Sequence, residues 1–362
     1  MTSSATAARP IRVLVVDDSA YNRRNIADVF AGHPEVEVIG KAADGEEALQ
    51  LVTLLKPDVI TLDLEMPRMD GFTFLRILMS RAPTPVIVVS SYSQRENVFK
   101  ALDLGALDFV PKPERIGPEA TDVREGILQK VLLVRSLRSS FVPTPLARRT
   151  SGAFTPEGDS GTFDAVSPRP SVYRAPKQLV AIASSTGGPS ALLHIFHKLP
   201  ATTAAAFVVA QHMPDKFTRT FAERLDKRGP VHTVEASDGD LVARGTGFVC
   251  PGRKCMTIVQ QGVELKLRVE PPVPADRYVP SADRLFKSVA KLGPRCIGVI
   301  LTGMGDDGVE GARAIRDAGG IVIAESQETA VVNGMPGAAV RAGVTNEVLP
   351  LPAIGDYLAK LG

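Results

Sequence analysis

The sequence predicts an α/β chain of two doubly wound, mainly parallel-sheet domains joined by a linker. Three observations carry that reading. Short β-branched runs alternate with helical periodicity over residues 11–134, the alternation resumes at residue 178, and the stretch between has neither period. The length of 362 residues is also long for one domain and suited to two.

In the first domain, Ile11 to Val16 (IRVLVV) is a continuous apolar run, as expected of a strand buried on both faces of a parallel sheet. A helical pattern from Ser19 to Phe30 leads to a strand over Glu35 to Lys41 and a helix from Gly45 to Lys56. A third strand, Asp58 to Leu62, is followed by a helix over Phe72 to Ser80. Val86 to Val89 and Asp108 to Val110 complete five strands, with a helix from Glu96 to Leu104 between them. Residues 1–10 are polar and small and are expected to form a flexible terminus.

Residues 135–177 hold six prolines, seven serines and three glycines, with seven basic against three acidic residues. Such a composition predicts a disordered or extended basic linker rather than an ordered loop of that length.

Residues 178–362 form the second domain. Strand Leu179 to Ala183 leads through a glycine-rich turn into a helix, Ser190 to Leu199. Strand Ala206 to Ala210 leads into a helix over Lys216 to Lys227. Four short strands follow (Val231 to Glu235, Gly247 to Cys250, Met256 to Val259, Glu264 to Val269), joined by glycine-containing turns and read as hairpins on the sheet edge. Helix Ala282 to Leu292, strand Cys296 to Leu301, helix Gly308 to Ala318 and strand Ile321 to Ala324 restore the alternation.

Composition excludes several classes. With 42 basic and 40 acidic residues and no basic stripe, the chain is not expected to bind nucleic acid. Three cysteines cannot build a disulfide framework, which points to a reducing cytoplasm. No signal peptide opens the chain and no apolar run approaches the ~20 residues that span a bilayer, so direct membrane insertion is not expected.

Two constellations carry chemistry. In the first domain Asp17, Asp18, Asp63, Ser90 and Lys112 all fall at carboxyl ends of predicted parallel strands, where ligands bind in open α/β sheets. Three carboxylates repel one another unless a cation sits among them, and an oxygen-only set suits Mg²⁺. Asp63 then becomes a candidate acyl-phosphate acceptor, with Lys112 available to neutralise a phosphoryl oxygen. In the second domain Ser184 and Ser185, then His212, then Asp306 and Asp307 follow three strands, giving a serine–histidine–acid set at one sheet edge. Among the five histidines, His212 is the best-placed base, since the other four fall on helices, in a strand or in the first domain. Residues 303–308 (GMGDDG) also match G-x-G-x-x-G, with Glu325 placed as in a dinucleotide fingerprint. Two aspartates where a pyrophosphate would sit, and a position late in its domain, argue against nucleotide binding. Cys250 and Cys255 lack zinc-site spacing.

The segments VLVVDDSAYNR, DVITLDLEMPRMDGF, VIVVSSYS and GALDFVPKP resemble the receiver domain of two-component response regulators. That resemblance implies Asp63 as phosphorylation site, Asp17, Asp18 and Asp63 as Mg²⁺ ligands, and Ser90, Phe109 and Lys112 as switch residues. The segments AIASSTGGPSAL, VVAQHMPDKFTRTFAERL, PPVPADRYVPSADRLFKSVA and GVILTGMGDDGVEGARAIRDAGG resemble the catalytic domain of the chemotaxis protein-glutamate methylesterases. It implies Ser185 as nucleophile, His212 as base, Asp307 as orienting acid, an oxyanion hole from the N–H groups of Thr186 and Met304, and no cofactor in this domain. The fold expected is thus a flavodoxin-like receiver and a Rossmann-like esterase with an antiparallel hairpin edge.

The function so implied is phosphorylation-regulated removal of methyl groups from glutamate methyl esters on chemoreceptors, releasing methanol, with deamidation of receptor glutamines as a second activity. The partners implied are methylated chemoreceptors and the histidine kinase of the same system as phosphodonor. Two other readings stay open from sequence: a non-catalytic, phospho-regulated adaptor, and an esterase for a different protein. Ser184, Cys255 and Asp306 depart from the residues common in that family. The two-domain layout further suggests that the unphosphorylated receiver covers the Ser185 cleft.

Overall fold

Five all-parallel strands build the N-terminal sheet, in the spatial order Val36–Ala42, Ile11–Val16, Val59–Leu62, Val86–Ser90 and Asp108–Pro111, and seven build the C-terminal one, in the order Glu347–Leu349, Ile321–Glu325, Cys296–Ile300, Leu179–Ser184, Ala206–Gln211, Thr246–Val249 and His232–Glu235. The computed structural model describes residues 9–91, 95–112, 118–137 and 173–361. Most of the expected flexible terminus and of the expected linker therefore lies outside the described residues.

The N-terminal domain runs β1 (Ile11–Val16), α1 (Ala20–Phe30), β2 (Val36–Ala42), α2 (Gly45–Leu55), β3 (Val59–Leu62), α3 (Gly71–Arg81), β4 (Val86–Ser90), α4 (Arg95–Asp103), β5 (Asp108–Pro111) and α5 (Pro118–Leu132). Side-chain caps set three of these starts: Ser19, Asp44 and Asp70 each accept a hydrogen bond from a backbone N–H in the first turn of the helix they precede. β3 and β4 are buried along their whole length, which is why their sequences are unbroken apolar runs with one threonine and one terminal serine. The sequence reading has no helix over Pro118–Leu132. This segment carries charged residues through most of its turns and packs on α1 and β5 at the sheet's end.

The C-terminal domain runs β6 (Leu179–Ser184), α6 (Gly188–Lys198), β7 (Ala206–Gln211), α7 (Asp215–Arg228), β8 (His232–Glu235), β9 (Thr246–Val249), β10 (Cys255–Gln261), β11 (Glu264–Glu270), α8 (Ala282–Ala290), β12 (Cys296–Ile300), α9 (Val309–Asp317), β13 (Ile321–Glu325), α10 (Met335–Arg341), β14 (Glu347–Leu349) and α11 (Leu351–Ala359). One expectation needs correction. Of the four short strands read as edge hairpins, β8 and β9 join the main sheet in parallel register. Only β10 and β11 form an antiparallel hairpin, and it is a separate two-stranded sheet against α8. Alternating short strands do not report direction. The β7–α7–β8 crossover sets it here, because α7 returns the chain to the start of the sheet.

The central order β12-β6-β7 brings the ends of three adjacent strands to one edge. All three are fully buried. The two domains also share a core. Phe99 of α4 stacks on Phe221 of α7 at 5.7 Å, and Phe109 of β5 meets Phe217 of α7 at 4.6 Å. Arg224 of α7 pairs with Asp103 of α4 at the rim of these aromatics. Among the described residues no helix is long and apolar enough to cross a membrane.

Candidate active site and phosphoacceptor site

At the end of β6 the two serines part company. Ser184 is fully buried and its hydroxyl donates to Gln211 Oε1 at 2.6 Å. Ser185 is half-buried on the loop and its N–H donates to the Thr302 carbonyl at 3.0 Å, which ties it to the end of β12. The alternation of side chains at a strand end produces this division.

His212 follows β7. Its Nε2 lies 2.8 Å from Asp307 Oδ2. A carboxylate only accepts hydrogen bonds, so Nε2 carries the proton and Nδ1 is the basic ring atom. Asp307 is buried and takes two further hydrogen bonds, from the N–H groups of Ala282 at 2.8 Å and Asp283 at 3.0 Å. Those are first-turn donors of α8, which starts where it does because Ser281 caps it. Three donors therefore hold the carboxylate in one orientation. An open groove of about 910 Å³ runs from Asp307 along α8 and α10, lined by Asp276, Tyr278, Asp283, Arg284 and Arg341 among others.

Residues 303–308 serve packing rather than nucleotide binding. A Cβ on Gly303 would come within 2.4 Å of Met335 Sδ and 2.8 Å of Ser185 Cβ. Glycine at 303 thus lets the loop bearing Met304 run against the loop bearing Ser185. Glu325 is buried and accepts from the Thr302 N–H at 2.8 Å and the Thr329 hydroxyl at 2.9 Å. It braces the end of β12.

Sequence reasoning passed over two residues beside this set. Gln211 donates from Nε2 to the carbonyls of Ser185 and His212, both at 2.9 Å, so one side chain clamps the two loops. The signal in the sequence is a glutamine that closes the apolar run Ala206 to Ala210 directly before the histidine. Tyr278 stacks on the His212 imidazole, with centroids 5.4 Å apart and planes 7° apart. Three of the other four histidines have partners elsewhere: His197 faces the Arg228 carbonyl, His232 pairs with Asp226, and His33 accepts from the Glu35 N–H. Cys250 and Cys255 are buried, with Cys255 Sγ 3.6 Å from Asp276.

In the N-terminal domain Asp17, Asp18 and Asp63 each bring a carboxylate oxygen within 4.8 Å of the others. Lys112 Nζ lies 2.6 Å from Asp63 Oδ2 and 3.1 Å from Asp17 Oδ2. Asp17 Oδ2 is buried and pairs with Lys112 by charge, and an anionic oxygen so placed fits a site that takes a cation. Burial pushes the Asp63 carboxyl above its ordinary range, with the Lys112 hydrogen bond acting against it. Burial lowers Lys112, but the hydrogen bond and charge of Asp63, then Asp17, outweigh it and raise the ammonium's pKa. Ser90 and Phe109 are buried at the ends of β4 and on β5.

The domains touch beside the Ser185 loop. Thr186, next to Ser185, donates from its hydroxyl to Asp108 Oδ2 of β5 at 2.5 Å, in a buried setting. Asp108 also pairs with Lys130 and accepts from the Phe109 N–H at 2.7 Å.

A carboxylate cluster with an attendant lysine in one α/β domain, contacting a serine–histidine–aspartate edge in another, defines a two-domain response-regulator hydrolase. The comparisons narrow this. Residues 13–118 match the response regulator receiver domain and residues 180–358 match CheB methylesterase. The chain is 47% identical over 353 residues to protein-glutamate methylesterase/protein-glutamine glutaminase 1 of Myxococcus xanthus, covering 97% of both chains. It is 47% identical over 355 residues to protein 3 of that name in Geobacter sulfurreducens, covering 95% of both. The crystal structure of the Thermotoga maritima CheB methylesterase catalytic domain superposes with a TM-score of 0.50 at 37% identity, covering 51% of this chain and 98% of that one. The chain belongs to the protein-glutamate methylesterase/protein-glutamine glutaminase family.

Proposed function

We propose that this protein hydrolyses glutamate methyl esters on chemoreceptors, and amides of receptor glutamines, under control of phosphorylation at Asp63. The observation that carries the reading is the His212–Asp307 bond at 2.8 Å beside the half-buried Ser185, with Ser184 turned inward. Ser185 Oγ attacks the ester carbonyl carbon while His212 Nδ1 takes its proton, and Asp307 holds the resulting imidazolium. The oxyanion is met by the N–H groups of Thr186 and Met304. As the tetrahedral centre collapses, the C–O bond to methoxide breaks and His212 returns the proton, releasing methanol. Water, deprotonated by His212, then attacks the glutamyl–serine ester and frees glutamate and Ser185. With an amide the leaving group is ammonia.

In the receiver, Asp17, Asp18 and Asp63 would hold Mg²⁺, which offsets the charge of carboxylates facing a phosphoryl group. Asp63 accepts the phosphoryl group, Lys112 neutralises one of its oxygens, and Ser90 and Phe109 carry the change to the β4–β5 face. A histidine kinase of the chemosensory system is the phosphodonor, and the setting is the cytoplasm.

Contacts from Phe99, Asp103, Asp108 and Phe109 to α7 and Thr186 support a docked receiver that restrains the esterase until Asp63 is phosphorylated. The test is release of labelled methanol from methylated receptor, with and without phosphodonor. Ser185→Ala should abolish release. A Ser185→Ala protein with wild-type turnover would remove the reading.

A further inference from the structure

We propose that Tyr278 is a positioning residue for His212, held in place by Asp306; this rests on the reading of Ser185, His212 and Asp307 as the catalytic set. Tyr278 lies on the segment between β11 and α8, far in sequence from the triad residues. Its ring lies nearly parallel to the His212 imidazole, 7° between planes and 5.4 Å between centroids. Asp307 holds only one edge of that imidazole, through Nε2, and a single hydrogen bond leaves the ring free to tilt about it. A flat neighbour on the face removes that freedom and keeps Nδ1 in a fixed direction.

The tyrosine is itself fixed on two sides. Its hydroxyl donates to Asp306 Oδ1 at 3.0 Å, and the Arg277 guanidinium lies 5.5 Å from its ring centroid while reaching Asp306 Oδ2 at 3.4 Å. Burial, then the Asp306 hydrogen bond and charge, raise the phenol's pKa, so the hydroxyl remains a donor at neutral pH. Asp306 follows Gly305, and a Cβ at Gly305 would sit 2.5 Å from the Tyr278 hydroxyl, so the loop passes this phenol at close quarters. The same loop carries Met304. One contact chain thus runs from the oxyanion loop through Asp306 and Tyr278 to the base. It also gives Asp306 a role separate from that of its neighbour Asp307: Asp306 is half-exposed and bonds the tyrosine, whereas Asp307 is buried and bonds the histidine.

Steady-state methanol release should be compared for full-length, phosphodonor-treated wild type, Ser185→Ala, Tyr278→Leu, Tyr278→Phe and Asp306→Ala. Thermal melts and acyl-phosphate labelling would check that each is folded. Tyr278→Leu, which keeps apolar bulk without a planar face, should lower kcat about 10–100-fold with KM little changed, the scale of a misaligned reacting group. Tyr278→Phe keeps the face and should recover most of kcat. Asp306→Ala removes the same hydrogen bond as Tyr278→Phe, so it should show a comparable loss of a few-fold, smaller than that of Tyr278→Leu, and it serves if the leucine variant does not fold. A wild-type kcat in Tyr278→Leu or in Asp306→Ala, equal losses in the leucine and phenylalanine variants, or a change confined to KM would overturn the proposal. Absence of turnover in wild type, or its survival in Ser185→Ala, would instead refute the triad on which it rests.

Discussion

Removing the Asp108 carboxylate should release the esterase without phosphorylation. Among the described residues, Asp108 is the one receiver side chain bonded directly to the residue after Ser185, through the Thr186 hydroxyl at 2.5 Å. The contact is buried and its acceptor is a carboxylate, so it belongs with hydrogen bonds to charged groups, about 1.5–3 kcal/mol each. In Asp108→Ala the docked state would leave the Thr186 hydroxyl buried without its acceptor, while in the undocked state water supplies one. The docking equilibrium should therefore shift by the same 1.5–3 kcal/mol, or about 10–150-fold, since about 1.4 kcal/mol is a factor of ten. The two aromatic pairs, Phe99–Phe221 and Phe109–Phe217, contribute about 0.5–1.5 kcal/mol each beyond their area and remain. Docking should be weakened rather than abolished, so unphosphorylated activity should rise about tenfold or more toward the phosphorylated level. The assay is methanol release without phosphodonor, with acyl-phosphate labelling of Asp63 as a check on the receiver, since Lys130 also loses its Asp108 partner. Unchanged basal activity in a variant that labels normally would refute the restraining role of this contact.

Asp63→Asn should abolish an acid-stable, base-labile acyl phosphate formed with a small phosphodonor, and chelating Mg²⁺ should do the same to wild type; labelling that survives the substitution would move the acceptor elsewhere. Asp307→Asn should cost up to roughly 10⁴-fold in kcat, because an amide can present the wrong partner to His212. Ser184→Ala should retain turnover, since its hydroxyl points to Gln211; a dead Ser184→Ala protein alongside an active Ser185→Ala would put the nucleophile one residue earlier. A fragment from Lys177 to Gly362 should exceed the unphosphorylated whole chain in activity and ignore phosphodonor, and equal rates would exclude inhibition by the receiver.

Chemistry placed at strand ends was the most legible part of this chain. Asp17, Asp63, Lys112, His212 and the two-serine pair each follow a run whose β-branched, apolar character reports burial on both faces, and a parallel sheet puts all such ends on one edge. Strand direction in the β8–β11 region was not legible, because short alternating runs look alike in parallel and antiparallel pairing. Nor were α10, β14 and α11, which are short and take their register from the strands they cover.

The sequence by itself determined which residue types could meet: local apolar runs and turn residues specify strands, helices and the loops after them. It left open which serine turns into the core, which ring stacks on that histidine, and how one domain reaches the other. Those choices belong to the tertiary structure, because they depend on contacts between residues remote in the chain. Gln211 turning Ser184 inward, Tyr278 lying flat on His212, and Asp108 meeting Thr186 all bridge separations that no local pattern records. A hydrogen bond or a ring stack needs atoms placed within a few tenths of an ångström, and only the packed sheets and helices supply that placement.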